Sequence, residues 1–232
     1  LTRPSTIAID GAAATGKSTL GAQLAQHVGY LFFDTGVMYR AVTWAVLARR
    51  VDPTDVEQVS TLAENLLIEV VPNGVNDGRL YTILADNQDI TWEIRQPEVE
   101  AHVSRVSSYP RVRTALTIQQ RRIAAQGSIV MVGRDIGTVV LPQAEVKIFL
   151  QASAQERAKR RYQELLDQGK PANFDQILAA IIERDKQDRE KPISPMVPAS
   201  DAIIVNTDYK SIAEVLSELE QVIFRQPMQD EG

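Results

Sequence analysis

Eight residues constrain this chain more than any other stretch: Gly11-Ala12-Ala13-Ala14-Thr15-Gly16-Lys17-Ser18. They fit the pattern G-x-x-x-x-G-K-[ST], and their flanks are the ones the pattern requires. Before them runs an apolar, strand-like segment, Thr6-Ile7-Ala8-Ile9-Asp10. After them Leu20, Leu24 and Val28 recur at helical spacing. A strand, a glycine-hinged turn and a helix N-terminus make a nest of backbone N–H groups suited to phosphate. In such a nest Lys17 reaches the β- and γ-phosphates of a nucleotide, and the Ser18 hydroxyl holds Mg²⁺. The pattern says nothing about where the phosphate goes.

Composition closes off several alternatives. The chain has no cysteine and only two histidines, which removes disulfides, thiolate chemistry and a histidine-rich metal site. A net charge of −5 argues against wrapping polymeric nucleic acid, although Arg157-Ala158-Lys159-Arg160-Arg161 is locally basic. The longest apolar run is the six residues Ile177 to Ile182, far short of a membrane span. The N-terminal residues carry no apolar signal core, so the cytoplasm is the expected compartment. The length of 232 residues suits one large domain or a core with an inserted subdomain.

Short apolar runs at residues 6–10, 30–33, 128–132, 146–150 and 202–205 alternate with helical patterns. This order predicts an α/β fold with a parallel sheet. Ser153-x-x-Glu156 and Ser211-x-x-Glu214 read as capping boxes, with Gly169 closing the first of these helices. Residues 66–92 break the alternation. Leu67 to Val71 and Arg79 to Leu84 read as strands, with Pro72-Asn73-Gly74 and Asn76-Asp77-Gly78 between them. An antiparallel insertion is expected there.

Three further segments bear on chemistry. Asp34-Thr35-Gly36-Val37-Met38-Tyr39-Arg40 follows the second strand, at the carboxyl end where α/β sheets bind ligands. Asp34 there either holds water on Mg²⁺ or caps a helix. Arg40 either meets a second anion or is solvated. Gly133-Arg134-Asp135-Ile136-Gly137 ends the strand 128–132 and reads as ligand contact or as a salt-bridged turn. On the third segment, Arg184, Asp188 and Lys191 share one helical face, beside the stripe of Ile177, Ile181 and Ile182. That face suits either a mobile lid over phosphates or a solvated helix with ion pairs. An acceptor that is itself a phosphate would need no catalytic base, and no histidine–aspartate pair is evident.

Taken together, the phosphate loop, Asp34-Thr35-Gly36-x-x-Tyr39-Arg40, Gly133 to Val140 and Arg184-Asp185-x-x-Asp188 resemble the bacterial cytidylate kinases from about Thr6 to Ile223. The resemblance implies a nucleoside monophosphate kinase. The implied fold has three layers around a five-stranded parallel sheet, with an antiparallel β-containing insertion for the monophosphate and a helical lid. It implies a core of residues 1–65 and 110–232, an insertion at about 66–109 and a lid at about 160–198. The implied reaction moves the γ-phosphoryl group of ATP, with Mg²⁺, to CMP or dCMP in a monomeric enzyme. Gly11 to Thr19 would bind ATP. Thr35, Arg40, Ser104, Arg113, Arg134, Asp135, Arg184 and Asp188 would bind CMP, with Arg40 on the acceptor phosphate. Lys17, Arg40, Arg134 and Arg184 would carry the catalysis, and Ser18 and Asp34 (through water) the metal.

Chemistry agrees with a cytosine site. A carboxylate such as Asp135 accepts from the exocyclic amine N4, and Arg113 can donate to O2 or N3. Two features depart from the family. Lys191 stands where the lid has Arg, and Ala12-Ala13-Ala14 replaces the loop's usual Pro-Ser start. Shikimate kinases and nucleotide switches fit less well. The first lack the β insertion, and the second need an Asn-Lys-x-Asp motif, which Asn206-Thr207-Asp208 is not.

Overall fold

The computed structural model of the chain describes residues 3–72, 74–190 and 193–223. In chain order the elements are β1 (Thr6–Gly11), α1 (Lys17–Val28), β2 (Leu31–Asp34), α2 (Gly36–Ala48), α3 (Val56–Asn65), β3 (Ile68–Pro72), β4 (Tyr81–Ala85) and β5 (Gln88–Asp89). There follow α4 (Pro97–Val106), α5 (Pro110–Ala124), β6 (Ile129–Gly133), β7 (Val146–Gln151), α6 (Ala154–Asp167), α7 (Phe174–Arg189), β8 (Ile203–Asn206) and α8 (Ile212–Ile223). They form two compact units. One joins the stretch up to Phe32 with the stretch from Gly127 onward, and the other is Phe33–Gln126.

The first unit carries the five-stranded sheet, in the order β2-β6-β1-β7-β8. β1 pairs in parallel with both β6 and β7, and β7 with β8. Ile7, Ala8 and Ile9 of the central strand are fully buried, as are Ile129, Val130 and Met131 of β6. Strands covered on both faces read as continuous apolar runs, which is why these segments stood out in the sequence. α1 buries Leu20, Leu24 and Val28, the stripe expected of it. Of the two expected capping boxes, that of Ser211 forms in full; at Ser153 only the N-cap bond does, and its own amide donates to Asp208 at 2.8 Å. The Ser153 hydroxyl accepts from Glu156 N at 3.2 Å. Ser211 and Glu214 cap each other reciprocally, at 2.7 Å and 3.3 Å. Gly169 follows α6 with a left-handed backbone, as its place after the helix suggested.

The second unit holds the antiparallel sheet β3-β4-β5. Asp86 and Asn87, both at positive φ, make the two-residue turn between β4 and β5. The second strand begins at Tyr81 rather than at Arg79. Arg79 is drawn out of the ladder by Asp77 and Asp89, which its guanidinium meets at 2.6 Å each. Arg111 of α5 clamps Glu57 and Glu64 of α3 at 2.7 and 2.8 Å. Asn73, Lys191 and the tail from Gln226 lie outside the described residues. Among the described residues no helix is long and apolar enough to cross a membrane.

Candidate active site

The phosphate loop leaves β1 through Gly11, whose φ is +150°. A Cβ there would lie 2.4 Å from the Leu150 carbonyl oxygen of β7, so only glycine fits. Ala14 and Gly16 are left-handed, the conformation that turns successive amides into a nest. Thr15 is buried, and its hydroxyl donates to the Ala12 carbonyl at 2.9 Å. Lys17 donates to the same carbonyl at 2.5 Å. No side chain caps the N-terminus of α1, which leaves that end to an anion.

Two arginines of α6 brace this loop from behind. Arg157 is only 3 % exposed and meets Asp185 of α7 with both arms, at 2.9 and 2.5 Å. It also donates to the loop carbonyl of Ala13 at 3.3 Å. One guanidinium thereby ties α6, α7 and the loop together. Arg160 reaches the Thr15 carbonyl at 3.5 Å and the Thr207 hydroxyl at 3.1 Å. Beside them opens a pocket of about 450 Å³, lined by Gly16, Thr19, Leu20, Arg160, Lys210 and Ile212, among others. Its walls mix apolar surface with a few cations, the usual make-up of a small-molecule site.

At the end of β6, Gly133 stands in register with Asp10 of β1. The buried Asp10 carboxylate accepts from the amides of Ile136 at 2.8 Å and Gly137 at 2.7 Å. Burial pushes its pKa up to about 6, against the pull of those two amides; Asp135 raises it further and Lys17 lowers it. Asp10 thus fastens the turn that presents Arg134 and Asp135, and Asp135 is itself buried. Residues 136–140 then form one turn of π-helix. Arg134 pairs with Asp188 of α7 at 2.5 Å. α7 turns Ile181, Asp185 and Asp188 inward and leaves Arg184 and Ile182 exposed. The expected face of Arg184, Asp188 and Lys191 is therefore split: Asp188 is buried, Arg184 is not, and Lys191 lies outside the described residues.

In the second unit, Asp34 accepts from the Gly36 amide at 2.9 Å and so supports the start of α2. Thr35 is buried at that helix's N-terminus. Arg40 on α2 pairs with Glu100 of α4. Arg113 of α5 lies over the Tyr39 ring at 5.5 Å and donates to the Ser107 carbonyl at 3.3 Å. Ser104 is exposed on α4. No group of three or more acidic or histidine side chains that could hold a metal occurs among the described residues. Mg²⁺ does not need one. It takes one or two protein oxygens and fills its shell with water and phosphate, a demand that the Ser18 hydroxyl on the first turn of α1 suits.

A sequence model of the cytidylate kinase family matches residues 7–225, nearly the whole chain. The chain belongs to the cytidylate kinase family. A cytidylate kinase of Roseiflexus castenholzii is 49% identical over 94% of this chain and 92% of its own. One of Chloroflexus aggregans is 52% identical over 91% and 90%. Among solved structures, an uncharacterized protein from Eubacterium ventriosum superposes with a TM-score of 0.50 over 95% of this chain and 98% of its own. At 12% identity that likeness speaks to the fold alone. Within this family frame, sequence reasoning assigned no role to Asp10, Arg157, Arg160 and Glu100, and it met Asp185 only as part of the motif Arg184-Asp185-x-x-Asp188. The only signal for Arg157 and Arg160 was the basic cluster on a helix whose start the capping box marks. For Asp10 and Glu100 there was none.

Proposed function

We infer that the chain transfers the γ-phosphoryl group of ATP to CMP, or to dCMP, giving the diphosphate and ADP. The observation that carries this reading is the family match over residues 7–225, joined to an intact phosphate loop at its start. Gly11 to Thr19 hold the donor's phosphates, with Lys17 on the β- and γ-groups. The pocket beside Gly16 and Arg160 takes the donor's base and ribose, since it opens next to the phosphate nest. Ser18, with Asp34 through water, would hold Mg²⁺, which would neutralise charge on the donor's phosphates.

Asp135 accepts a hydrogen bond from N4 of cytosine, and Arg113 donates to O2 or N3. Thr35, Ser104, Arg184 and Asp188 complete the binding of the monophosphate. Arg40 and Arg134 hold its phosphate. That phosphate is mostly dianionic at neutral pH, so its oxygen attacks the γ-phosphorus without a base. A bond forms from that oxygen to the γ-phosphorus, and the bond to the β,γ-bridging oxygen breaks. Arg40, Arg134, Arg184 and Lys17 offset the charge of the transferring group. Residues of about 160–198 act as the lid and exclude water, those of about 66–109 as the monophosphate-binding insertion, and 1–65 with 110–232 as the core. The enzyme works as a monomer in the cytoplasm.

A coupled assay of ADP release across CMP, dCMP, UMP and AMP tests the reading. Strong preference for CMP and dCMP is expected. Equal rates on all four, or none on CMP, would refute it.

A further inference from the structure

Arg40 already has an anion. Its Nη2 pairs with the Glu100 carboxylate of α4, and its Nη1 donates to the Ile94 carbonyl at 3.4 Å. Both outer nitrogens of the guanidinium are thus turned toward protein oxygens. A two-armed grip on phosphate needs two neighbouring N–H groups of the same fork. An incoming phosphate therefore competes for the nitrogen that Glu100 holds.

The exchange is cheap for the carboxylate. Glu100 is 55% exposed in its side chain, against 30% for Arg40, so water receives it on release. It also sits in the first turn of α4, where no side chain caps the helix and the helix dipole favours negative charge. Once released it is still well placed. Arg40 by contrast is the less exposed partner and gains from keeping an oxyanion. A phosphate dianion with two parallel hydrogen bonds is a stronger partner for it than one carboxylate oxygen.

We propose that Glu100 is a stand-in for the acceptor's phosphate: it holds Arg40 in the empty enzyme and sets the affinity for CMP by competing for that guanidinium. The inference rests on Arg40 as the ligand of the acceptor phosphate, the reading given above. Glu100 touches no reacting atom and is a positioning residue. A competitor of the substrate predicts an improvement on removal, whereas a merely structural ion pair predicts a loss or no change.

Steady-state kinetics of Glu100→Gln, Arg40→Gln and the double variant test this in the full chain. Glu100→Gln should lower KM for CMP by about two- to fivefold, the range an exposed ion pair commands. Its kcat and its KM for ATP should stay at the wild-type values, and the gain should shrink as salt is raised. Arg40→Gln should raise KM for CMP, and in that background Glu100→Gln should bring no further gain. An unchanged or raised KM in Glu100→Gln overturns the proposal. A gain that persists without Arg40 also overturns it, because Glu100 would then act by general repulsion of the substrate. If Arg40→Gln leaves KM for CMP unchanged, the underlying assignment of Arg40 falls, and with it the role of Glu100.

Discussion

Two buried aspartates one strand apart carry different burdens. Asp135 is the group proposed to tell cytosine from uracil, because uracil presents O4 in place of the amine and would face an unpaired carboxylate. Asp135→Asn offers an amide that can donate to O4 as well as accept from N4. The CMP-to-UMP ratio of kcat/KM should therefore fall by about tenfold or more. Rates on both nucleotides measure it, and an unchanged ratio would remove Asp135 from base recognition. Asp10 acts on stability. Its folded pKa of about 6 lies above the ordinary 3.8, so burial favours the neutral form. Its contribution is fully present below the ordinary value and is lost as pH rises through about 6. The stability of wild type relative to Asp10→Asn should decline by up to about 3 kcal/mol between pH 4 and pH 7. Denaturant titrations of both proteins at the two pH values check the slope and its sign. Asp135 stood out as a candidate because it lies between glycines beside Arg134 at a strand's carboxyl end. Asp10 did not, because its partners Ile136 and Gly137 lie 126 and 127 positions away, and no local pattern announces such a bond.

Helices and strands were legible where local chemistry decides them. Apolar runs marked the parallel strands, and Ser153 and Ser211 marked two helix starts, each confirmed by a hydrogen bond to the third residue on. The face of α7 was less so. Periodicity groups residues by side but cannot say which side is buried, and a stripe containing Asp185 and Asp188 reads as solvated. Arg157 is what turns it inward, through a bidentate pair that satisfies both charges away from water. Asp185→Ala should then cost about 3–5 kcal/mol, because it strands a buried guanidinium. Replacing the pair by apolar side chains, Arg157→Met with Asp185→Leu, should cost far less. Chemical denaturation of the three proteins tests the ordering. Arg157 also donates to Ala13 of the phosphate loop, so both variants should raise KM for ATP even where stability recovers. A double variant with normal stability and normal KM for ATP would show that Arg157 serves the helices alone.

At the scale of the whole chain, alternation of strand and helix was readable but strand order was not. β1 lies between β6 and β7, and the whole second unit intervenes in sequence between β1 and β6. Such pairing is a long-range property that no window of sequence contains. The boundary at Phe32–Phe33 even falls within β2. The proposed site residues divide unequally between the two units. All residues proposed for the phosphates of ATP, Gly11 to Thr19, belong to the first unit. Those proposed for CMP come from both: Arg134, Asp135, Arg184 and Asp188 from the first, and Thr35, Arg40, Ser104 and Arg113 from the second. A ligand slows the opening of whatever it binds, by about a hundredfold at a hundred times its Kd. In hydrogen exchange, ATP alone should protect amides of β1 and α1 and leave α2 and α5 as they were. CMP alone should protect α2 and α5 together with the end of β6. If CMP protects the first unit only, Arg40 and Arg113 are not its ligands, and the acceptor is held by the Arg134–Asp135 turn and α7 alone.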